Sequence, residues 1–153
     1  MRLPVMVAIL AVLLLDAAAG RAQDTRSTAP ISAPISSVAY RVTFDSADAR
    51  RRLLHVDMSF TSGGDQPVIL ALPAWTPGSY ELDYFARRVL RFKAESDGHP
   101  LVWDKVDYDT WRVRPQGGKP ISVSFDYLAD TLDNAMAWAR SDFVMFNGTN
   151  LFL

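Results

Sequence analysis

Hydrophobic and polar residues alternate along three stretches of the chain, residues 40–44, 54–60 and 121–127. Side chains along a strand point to opposite faces in turn, so alternation predicts strands with one buried face and one in water. Shorter stretches of the same kind cover residues 90–94 and 110–114. Together the five stretches predict a domain built mainly from strands.

Turn-forming residues separate these strands and indicate how they connect. Glycine, proline, serine and aspartate cluster at residues 62–67 and 96–100, and glycines recur at 116–118. The turn at 96–100 predicts a hairpin between the preceding strand and residues 101–105. The uninterrupted apolar run 68–72 favours a strand covered on both faces. Strands about ten residues apart, without a long amphipathic helix, predict an all-β fold, an antiparallel β-sandwich with short helical turns.

Two short segments have helical rather than strand spacing. Residues 81–88 carry apolar side chains at helical spacing, which predicts a helical turn or an irregular start to the next strand. Residues 131–137 begin with Thr131 and Asp133, residue types that favour helix N-termini, and predict a second short helix. Both segments are too short to change the predicted fold class.

The N-terminus has the pattern of a secretory signal peptide over residues 1–22. Arg2 precedes an apolar run at residues 5–15, and small residues follow it. This run is shorter than the roughly 20 residues that span a bilayer. We therefore expect cleavage, export to the periplasm or the extracellular space, and no membrane attachment afterwards. Residues 23–37, rich in Ser, Thr, Ala and Pro, predict a flexible lead into a domain at 38–153.

Composition narrows the class of protein further. The 153 residues, of which 49% are hydrophobic and 22% charged, fit one globular domain. The chain has no cysteine, which excludes a disulfide scaffold, and its net charge of -1 gives no electrostatic basis for binding nucleic acid. The apolar run 151–153 is expected to need a partner surface, so we expect the sequence to be the front piece of a longer polypeptide.

The residues themselves predict no catalytic centre. His55 and His99 are the only histidines, and a catalytic zinc needs three protein ligands, for which the motif His-Glu-x-x-His is absent. Ser79 lacks the flanking glycines of a nucleophile elbow. Aspartates at residues 104–109 lack the glycine and the distal glutamate of a calcium loop. The chain is therefore expected to be inactive alone and to hold no metal.

The most distinctive segment is a proline-stiffened loop at residues 72–80, Leu-Pro-Ala-Trp-Thr-Pro-Gly-Ser-Tyr. Prolines on either side of Trp75 restrict the backbone there. An aromatic ring on such a loop either lines a groove or packs against the core, and the sequence leaves both interpretations open.

Residues 72–80 with Phe-Ala-Arg at 85–87, Trp-Asp-Lys through Trp-Arg-Val at 103–113, and Phe-Asn-Gly-Thr-Asn-Leu-Phe-Leu at 146–153 resemble one known family. This family is the N-terminal domain of the glycyl aminopeptidases, the sixty-first family of zinc metallopeptidases. The resemblance implies a β-rich front domain, then a thermolysin-like catalytic domain that carries His-Glu-x-x-His and zinc, and commonly a PDZ-like domain. None of the catalytic residues lies in this chain.

The resemblance implies a non-catalytic domain of an exported zinc aminopeptidase, which packs on its own downstream catalytic domain and helps to form the peptide-binding cleft. The candidates for the substrate cleft are Trp75, Tyr80, Asp83 and Tyr84. The candidates for the interface with the catalytic domain are Phe146, Asn147, Leu151 and Phe152. The alternative is a free-standing secreted β-sandwich that binds a peptide or protein partner.

Asp83 departs from the family pattern. Many members have an arginine at this place, three residues after the tyrosine that corresponds to Tyr80. The aspartate reverses the charge, so a contact of that arginine with a substrate carboxylate or a neighbouring domain is not carried over. Arg87, one helical turn further on, is a candidate partner for Asp83.

Overall fold

The computed structural model describes residues 30–153 with the exception of residues 79, 117 and 134. The signal peptide expected at residues 1–22, and residues 23–29 of the lead that follows it, lie outside the described residues. Within the described part of the chain, no helix is both long enough and apolar enough to cross a bilayer.

Strands make up most of the regular structure in the described residues, joined by two short α-helices and one 3₁₀ turn. In chain order the elements are β1 (Ile35–Thr43), α1 (Ser46–Arg51), β2 (Leu53–Ser62), β3 (Val68–Ala71), the 3₁₀ turn (Phe85–Arg88), β4 (Val89–Ser96), β5 (His99–Pro100), β6 (Trp103–Lys105), β7 (Thr110–Val113), β8 (Pro120–Leu128), β9 (Trp138–Arg140), β10 (Phe143–Met145) and α2 (Gly148–Leu151).

The strands form two main antiparallel sheets with the core between them. One sheet has five strands in the order β1-β2-β8-β4-β5, the other has three in the order β3-β7-β6, and β9 and β10 form a separate pair. Rings from both sheets stack in the core: Phe92 of β4 lies 5.3 Å from Trp111 of β7 and 6.5 Å from Phe125 of β8, between ring centroids. The prediction of an all-β sandwich is confirmed.

The centre of the larger sheet follows the predicted alternation. Strands β2 and β8 pair along their whole length, with Val56 opposite Phe125. The apolar residues of 54–60 and 121–127 are almost completely buried, while the polar residues between them face outward. Alternation was sufficient here because one face of each strand meets the core and the other meets water.

The predicted hairpin at 96–100 is only half right. Asp97 and Gly98 both have positive φ, 51° and 74°, as a two-residue hairpin turn of type I′ requires. The hairpin continues only through β5 and the residue after it, Leu101, which donates its backbone N–H to the carbonyl of Ala94 at 2.8 Å. The chain then crosses to the smaller sheet, and β6 pairs with β7 rather than with β4.

Three further predictions need correction. Strand β3 is an edge strand whose outer face is partly in water, so it is not covered on both faces. Strand β1 begins at Ile35 and Ala33 is already buried, so the folded part starts before residue 38. The described residues of 131–137 are not helical, because Asp133 accepts hydrogen bonds from two backbone N–H groups of a single turn and β9 follows at once.

The other short elements have identifiable local causes. The helical turn predicted within residues 81–88 is confirmed as the 3₁₀ turn. Helix α1 was not predicted, although Asp45 caps its N-terminus by accepting from the N–H groups of Ala47 and Asp48. The helix ends at Arg52, which adopts the left-handed conformation with φ 56°.

A cluster of charged side chains joins three strands on the outer face of the larger sheet. His55 Nδ1 lies 2.9 Å from Asp126, and His55 Nε2 lies 3.3 Å from Asp57. Arg91, in a bulge of β4, also pairs with Asp126. The hydrogen bond to Asp126 raises the pKa of His55 above its ordinary value, with Asp57 adding to the rise.

We expect this cluster to make the stability of the domain depend on pH. Because the folded-state pKa of His55 is raised, its contribution is fully present below about pH 6.5 and disappears as pH rises through the folded-state pKa. The side chain is 42% exposed, so the contribution should stay below about 1 kcal/mol. Urea unfolding of wild type and His55→Gln at pH 5.5 and 8.5 should show a stability difference that shrinks at the higher pH.

The exposed histidine of β5 provides the control for this measurement. His99→Gln should give a stability difference that does not change in the same way between the two pH values. A His55→Gln difference that stays constant or grows with pH would contradict the prediction.

Candidate functional site

The proline-stiffened segment forms a loop that closes at its base. The backbone N–H groups of Asp83 and Tyr84 both donate to the carbonyl of Ala74, at 2.8 and 2.9 Å. On the side of β3, Leu72 is buried and donates its N–H to the carbonyl of Asp109 at 3.1 Å. These contacts tie residues 74–84, the Trp75 loop, to the edge of the smaller sheet.

The Trp75 loop exposes apolar side chains. Trp75 is 50% exposed, Leu82 is 59% exposed, and Tyr80 is fully exposed. These three residues and Glu81 line a cleft of about 310 Å³, the Trp75 cleft. Trp75 therefore lines a groove rather than packing in the core. Exposed apolar side chains on a loop that is fixed by hydrogen bonds are typical of a binding surface.

Tyr84 lines a second cleft that the loop between β6 and β7 completes. Its ring meets the ring of Tyr108 edge to face, with centroids 5.7 Å apart and planes at 87°. Tyr84, Arg87 and Tyr108 together line a cleft of about 260 Å³, the Tyr84 cleft. Lys105 donates from Nζ to the carbonyl of Tyr108 and so fixes that loop against its own strand.

Asp83 does not line either cleft. Its side chain is partly buried, and Oδ2 has no hydrogen-bond partner among the described residues. The candidate pairing with Arg87 does not form, since the ion pairs of the described residues include none between these two side chains. The backbone of Asp83, rather than its carboxylate, connects this residue to the loop.

The four interface candidates within residues 146–152 differ from one another in exposure and contacts. Phe152 stacks on Tyr40, with centroids 4.4 Å apart, and meets Phe146 edge to face at 6.4 Å. Phe146 and Phe152 remain 38% and 36% exposed, so they present an apolar surface, the Phe152 cluster. Asn147 caps α2 by accepting from the N–H of Thr149 at 3.0 Å.

Leu151 offers no surface to another domain. It is completely buried within the described chain, in the same core as the strands. Asn150 beside it is also fully buried and donates from its side-chain amide to the carbonyl of Ala135 at 2.6 Å. Of the four interface candidates, the two phenylalanines therefore provide the exposed apolar area.

The structure brings some of the predicted cleft residues together and adds others. Trp75 and Tyr80 share one cleft, while Tyr84 lies in the neighbouring one. Sequence reasoning missed Tyr108 and Arg87 as lining residues. The only sequence signal for Tyr108 was its place in a short polar turn between two strands, a position where exposed aromatic residues often bind ligands.

The described residues bring together no three histidine, cysteine or acidic side chains close enough to hold a metal ion. The zinc that the resemblance implies concerns a catalytic domain, and it stays a prediction. The two clefts offer aromatic faces, phenolic hydroxyls and one guanidinium group. These groups can bind and orient a peptide.

Comparison with solved structures finds similar chains. The crystal structure of an aminopeptidase N family protein from Idiomarina loihiensis is similar to the chain with a TM-score of 0.67 and 28% sequence identity. The similarity covers 74% of this chain but only 19% of that chain, so the chain spans about a fifth of its relative's length. No curated protein matches the chain.

The sequence pattern of the Peptidase M61 N-terminal domain matches residues 39–153. This match begins within β1 and includes every strand after it, the Trp75 loop and the Phe152 cluster. The resemblance inferred from the three sequence stretches is thus confirmed over most of the chain, which belongs to the family of peptidase M61 N-terminal domains.

Proposed function

We propose that this domain is the non-catalytic front domain of an exported zinc aminopeptidase. In this proposal it packs on a thermolysin-like catalytic domain, and its Trp75 loop forms one wall of the peptide-binding cleft. The observation that carries the proposal is the exposure of Trp75, Tyr80 and Leu82 on a loop whose base is fixed by two backbone hydrogen bonds.

The energetics of the loop favour binding. Removing exposed apolar area from water contributes about 25 cal/mol of favourable free energy for each Å² that a ligand covers. Aromatic side chains supply much of this area and lose little conformational entropy on binding, because they have few rotatable bonds. The hydrogen bonds to Ala74 hold the loop before a ligand arrives, which lowers the cost of ordering it.

The Phe152 cluster is the proposed contact with the catalytic domain. Its two half-buried rings extend the apolar surface beyond Tyr40, and α2 packs against the 3₁₀ turn that carries Arg87. A domain docked on this cluster would therefore lie near the Tyr84 cleft. The length of the aminopeptidase N family relative supports a role as one part of a larger polypeptide.

The test is to replace Trp75 and Tyr80 by alanine, separately, in the full-length polypeptide with its catalytic domain. Each change should raise KM for peptide substrates about tenfold, because removing an aromatic side chain that anchors a ligand costs more than about 1 kcal/mol, while kcat changes little. Steady-state kinetics on a tripeptide measures both parameters.

Val102→Ala is the matched control for these two variants. Val102 is 63% exposed but lies where the chain crosses between the sheets, outside both clefts. The Val102→Ala variant should leave KM unchanged. Wild-type kinetics in both the Trp75→Ala and Tyr80→Ala enzymes would mean that the loop only supports the fold.

The same exposed loop would also serve a free-standing secreted sandwich that binds a peptide or protein. The reading frame separates these two functions at little cost. A frame that continues past Leu153 and encodes His-Glu-x-x-His supports the aminopeptidase proposal. A stop codon directly after Leu153 supports the binding module.

A further inference from the structure

We infer that the Tyr84 cleft binds a carboxylate group of the peptide through the guanidinium of Arg87. The inference rests on the proposed function, because the peptide is taken to be the substrate whose cleft this domain helps to form. It adds to that function the chemical class of substrate that the domain selects, peptides with an anionic group away from the reacting amide.

The first step of the argument is the contrast between two adjacent arginines. Arg88 is 12% exposed, and its two terminal nitrogens are engaged inside the domain, where Nη1 pairs with Asp130 and Nη2 donates to Thr131 at 2.7 Å. Arg87 is exposed and has no ion pair with an acidic side chain of the described residues. One guanidinium stabilises the fold, and the other is left available to a ligand.

The second step is the shape of the cleft around Arg87. The rings of Tyr84 and Tyr108 stand at 87° to each other and form two of its walls. A guanidinium group presents paired N–H donors that match the two oxygens of a carboxylate. Aromatic walls beside it exclude part of the water, which strengthens such a pair, and they also accept the apolar part of the ligand.

The third step is that the cleft is held in place before binding. Tyr84 has φ 49° and ψ 60°, a left-handed conformation that is unfavourable for a bulky residue. Phe85 and Ala86 follow it and are buried, so the core holds this conformation. The N–H of Arg87 donates to the carbonyl of Tyr84 at 3.0 Å, which fixes the arginine backbone one turn beyond the ring.

The fourth step is the balance of charge around the cleft. Lys105 Nζ lies 5.6 Å from the centroid of the Tyr108 ring, but it donates to the carbonyl of Tyr108, and the carboxylates of Asp109 and Asp107 offset its charge, so Arg87 is the cation available to a ligand. Asp107, in the same loop, accepts a hydrogen bond from the N–H of Asp109 at 2.9 Å. Neither Asp107 nor Asp83 forms an ion pair with Arg87 in the described chain. An anionic ligand in this cleft would therefore meet a guanidinium group with which no acidic side chain of the described residues forms an ion pair.

The experiment compares peptide pairs in the full-length enzyme and its Arg87→Gln variant. One pair is a tripeptide with a free C-terminal carboxylate and the same tripeptide as its amide. The other pair is two C-terminal amides that differ only by Glu or Gln at the last position. The two pairs distinguish a main-chain carboxylate from a side-chain carboxylate as the ligand.

We expect the wild-type enzyme to prefer the anionic member of at least one pair. Arg87→Gln should lower kcat/KM for that member about tenfold, the size expected for a hydrogen-bonded charge pair at a partly exposed site, and should leave its neutral partner unchanged. Arg87→Lys should restore only part of the preference, because an ammonium group cannot form the paired contact. Arg50→Gln is the control, since Arg50 is an exposed arginine on α1.

Three outcomes would overturn the inference: no preference in the wild-type enzyme, an equal effect of Arg87→Gln on all four peptides, or no effect on any of them. If Arg87→Gln has no effect while Trp75→Ala still raises KM, the inference fails and the proposed function stands. If Arg87→Gln, Trp75→Ala and Tyr80→Ala all leave the kinetics unchanged, both fail.

Discussion

Phe125→Ala is expected to lower the free energy of unfolding by about 3–5 kcal/mol. Phe125 lies in β8 at the centre of the larger sheet and is only 1% exposed. Its ring stacks with Phe92, which stacks in turn with Trp111 of the opposite sheet. Alanine would remove apolar contacts from both sheets and leave a cavity that neighbouring side chains on fixed strands cannot fill.

Urea unfolding followed by tryptophan fluorescence measures this loss. Phe143→Ala is the matched control, because the same side chain is deleted at a position that is 49% exposed. The control should lose less than about 1 kcal/mol, as is usual for surface positions. Equal losses in the two variants would show that the stack of rings does not join the sheets.

Arg88→Met is expected to lower the free energy of unfolding by about 2 kcal/mol. The methionine would keep most of the apolar volume but remove the ion pair with Asp130 and the hydrogen bond to Thr131. Breaking a buried pair costs about 3–5 kcal/mol when the remaining charge stays buried. Asp130 is 39% exposed, so water compensates for part of this loss.

The neighbouring arginine is a natural control for this prediction. Arg87→Met changes the same functional group one residue earlier, at an exposed position without an ion pair in the described chain. It should change the free energy of unfolding by less than about 0.5 kcal/mol. Urea unfolding of both variants at one pH makes the comparison. Losses of the same size would contradict the separate roles given to Arg87 and Arg88.

The local sequence pattern was enough to predict the central strands. It was not enough to predict which strand each one pairs with. The alternation around Val56 and Phe125 is a property of each strand by itself, because burial of one face needs no knowledge of the partner. The residues after Pro100 leave one sheet for the other, where Trp103 lies opposite Val113. That choice depends on packing between distant parts of the chain, which hairpin rules do not include.

The residues that cap helix N-termini correctly indicated where a turn begins. They did not determine whether a helix follows. Asp45 and Asp133 each accept two backbone N–H groups in the structure. Six residues of helix follow Asp45, whereas residues 135–137 are buried and lead into β9. A cap stabilises the first turn only, and tertiary contacts decide whether a second turn forms.

The candidate site was predictable in the same partial way. The prolines around Trp75 indicated a shaped loop, and the structure shows an exposed aromatic surface there. The second cleft needs Tyr108, which lies far along the chain from Tyr84 and meets it only because β3 pairs with β7. No local pattern contains that contact.

The pairing of β2 with β8 also has a consequence for the order of folding. Residues 63–119, which include both clefts, lie between these strands, so the larger sheet closes a long loop around them. Closing long loops costs entropy before contacts compensate for it, and β-rich chains of this kind fold in milliseconds to seconds. During synthesis at about 5–20 residues per second, β2 waits several seconds for its partner strand. We expect the smaller sheet, which carries both clefts, to complete its packing only when β8 is in place, because Phe92 stacks on both Phe125 of β8 and Trp111 of β7.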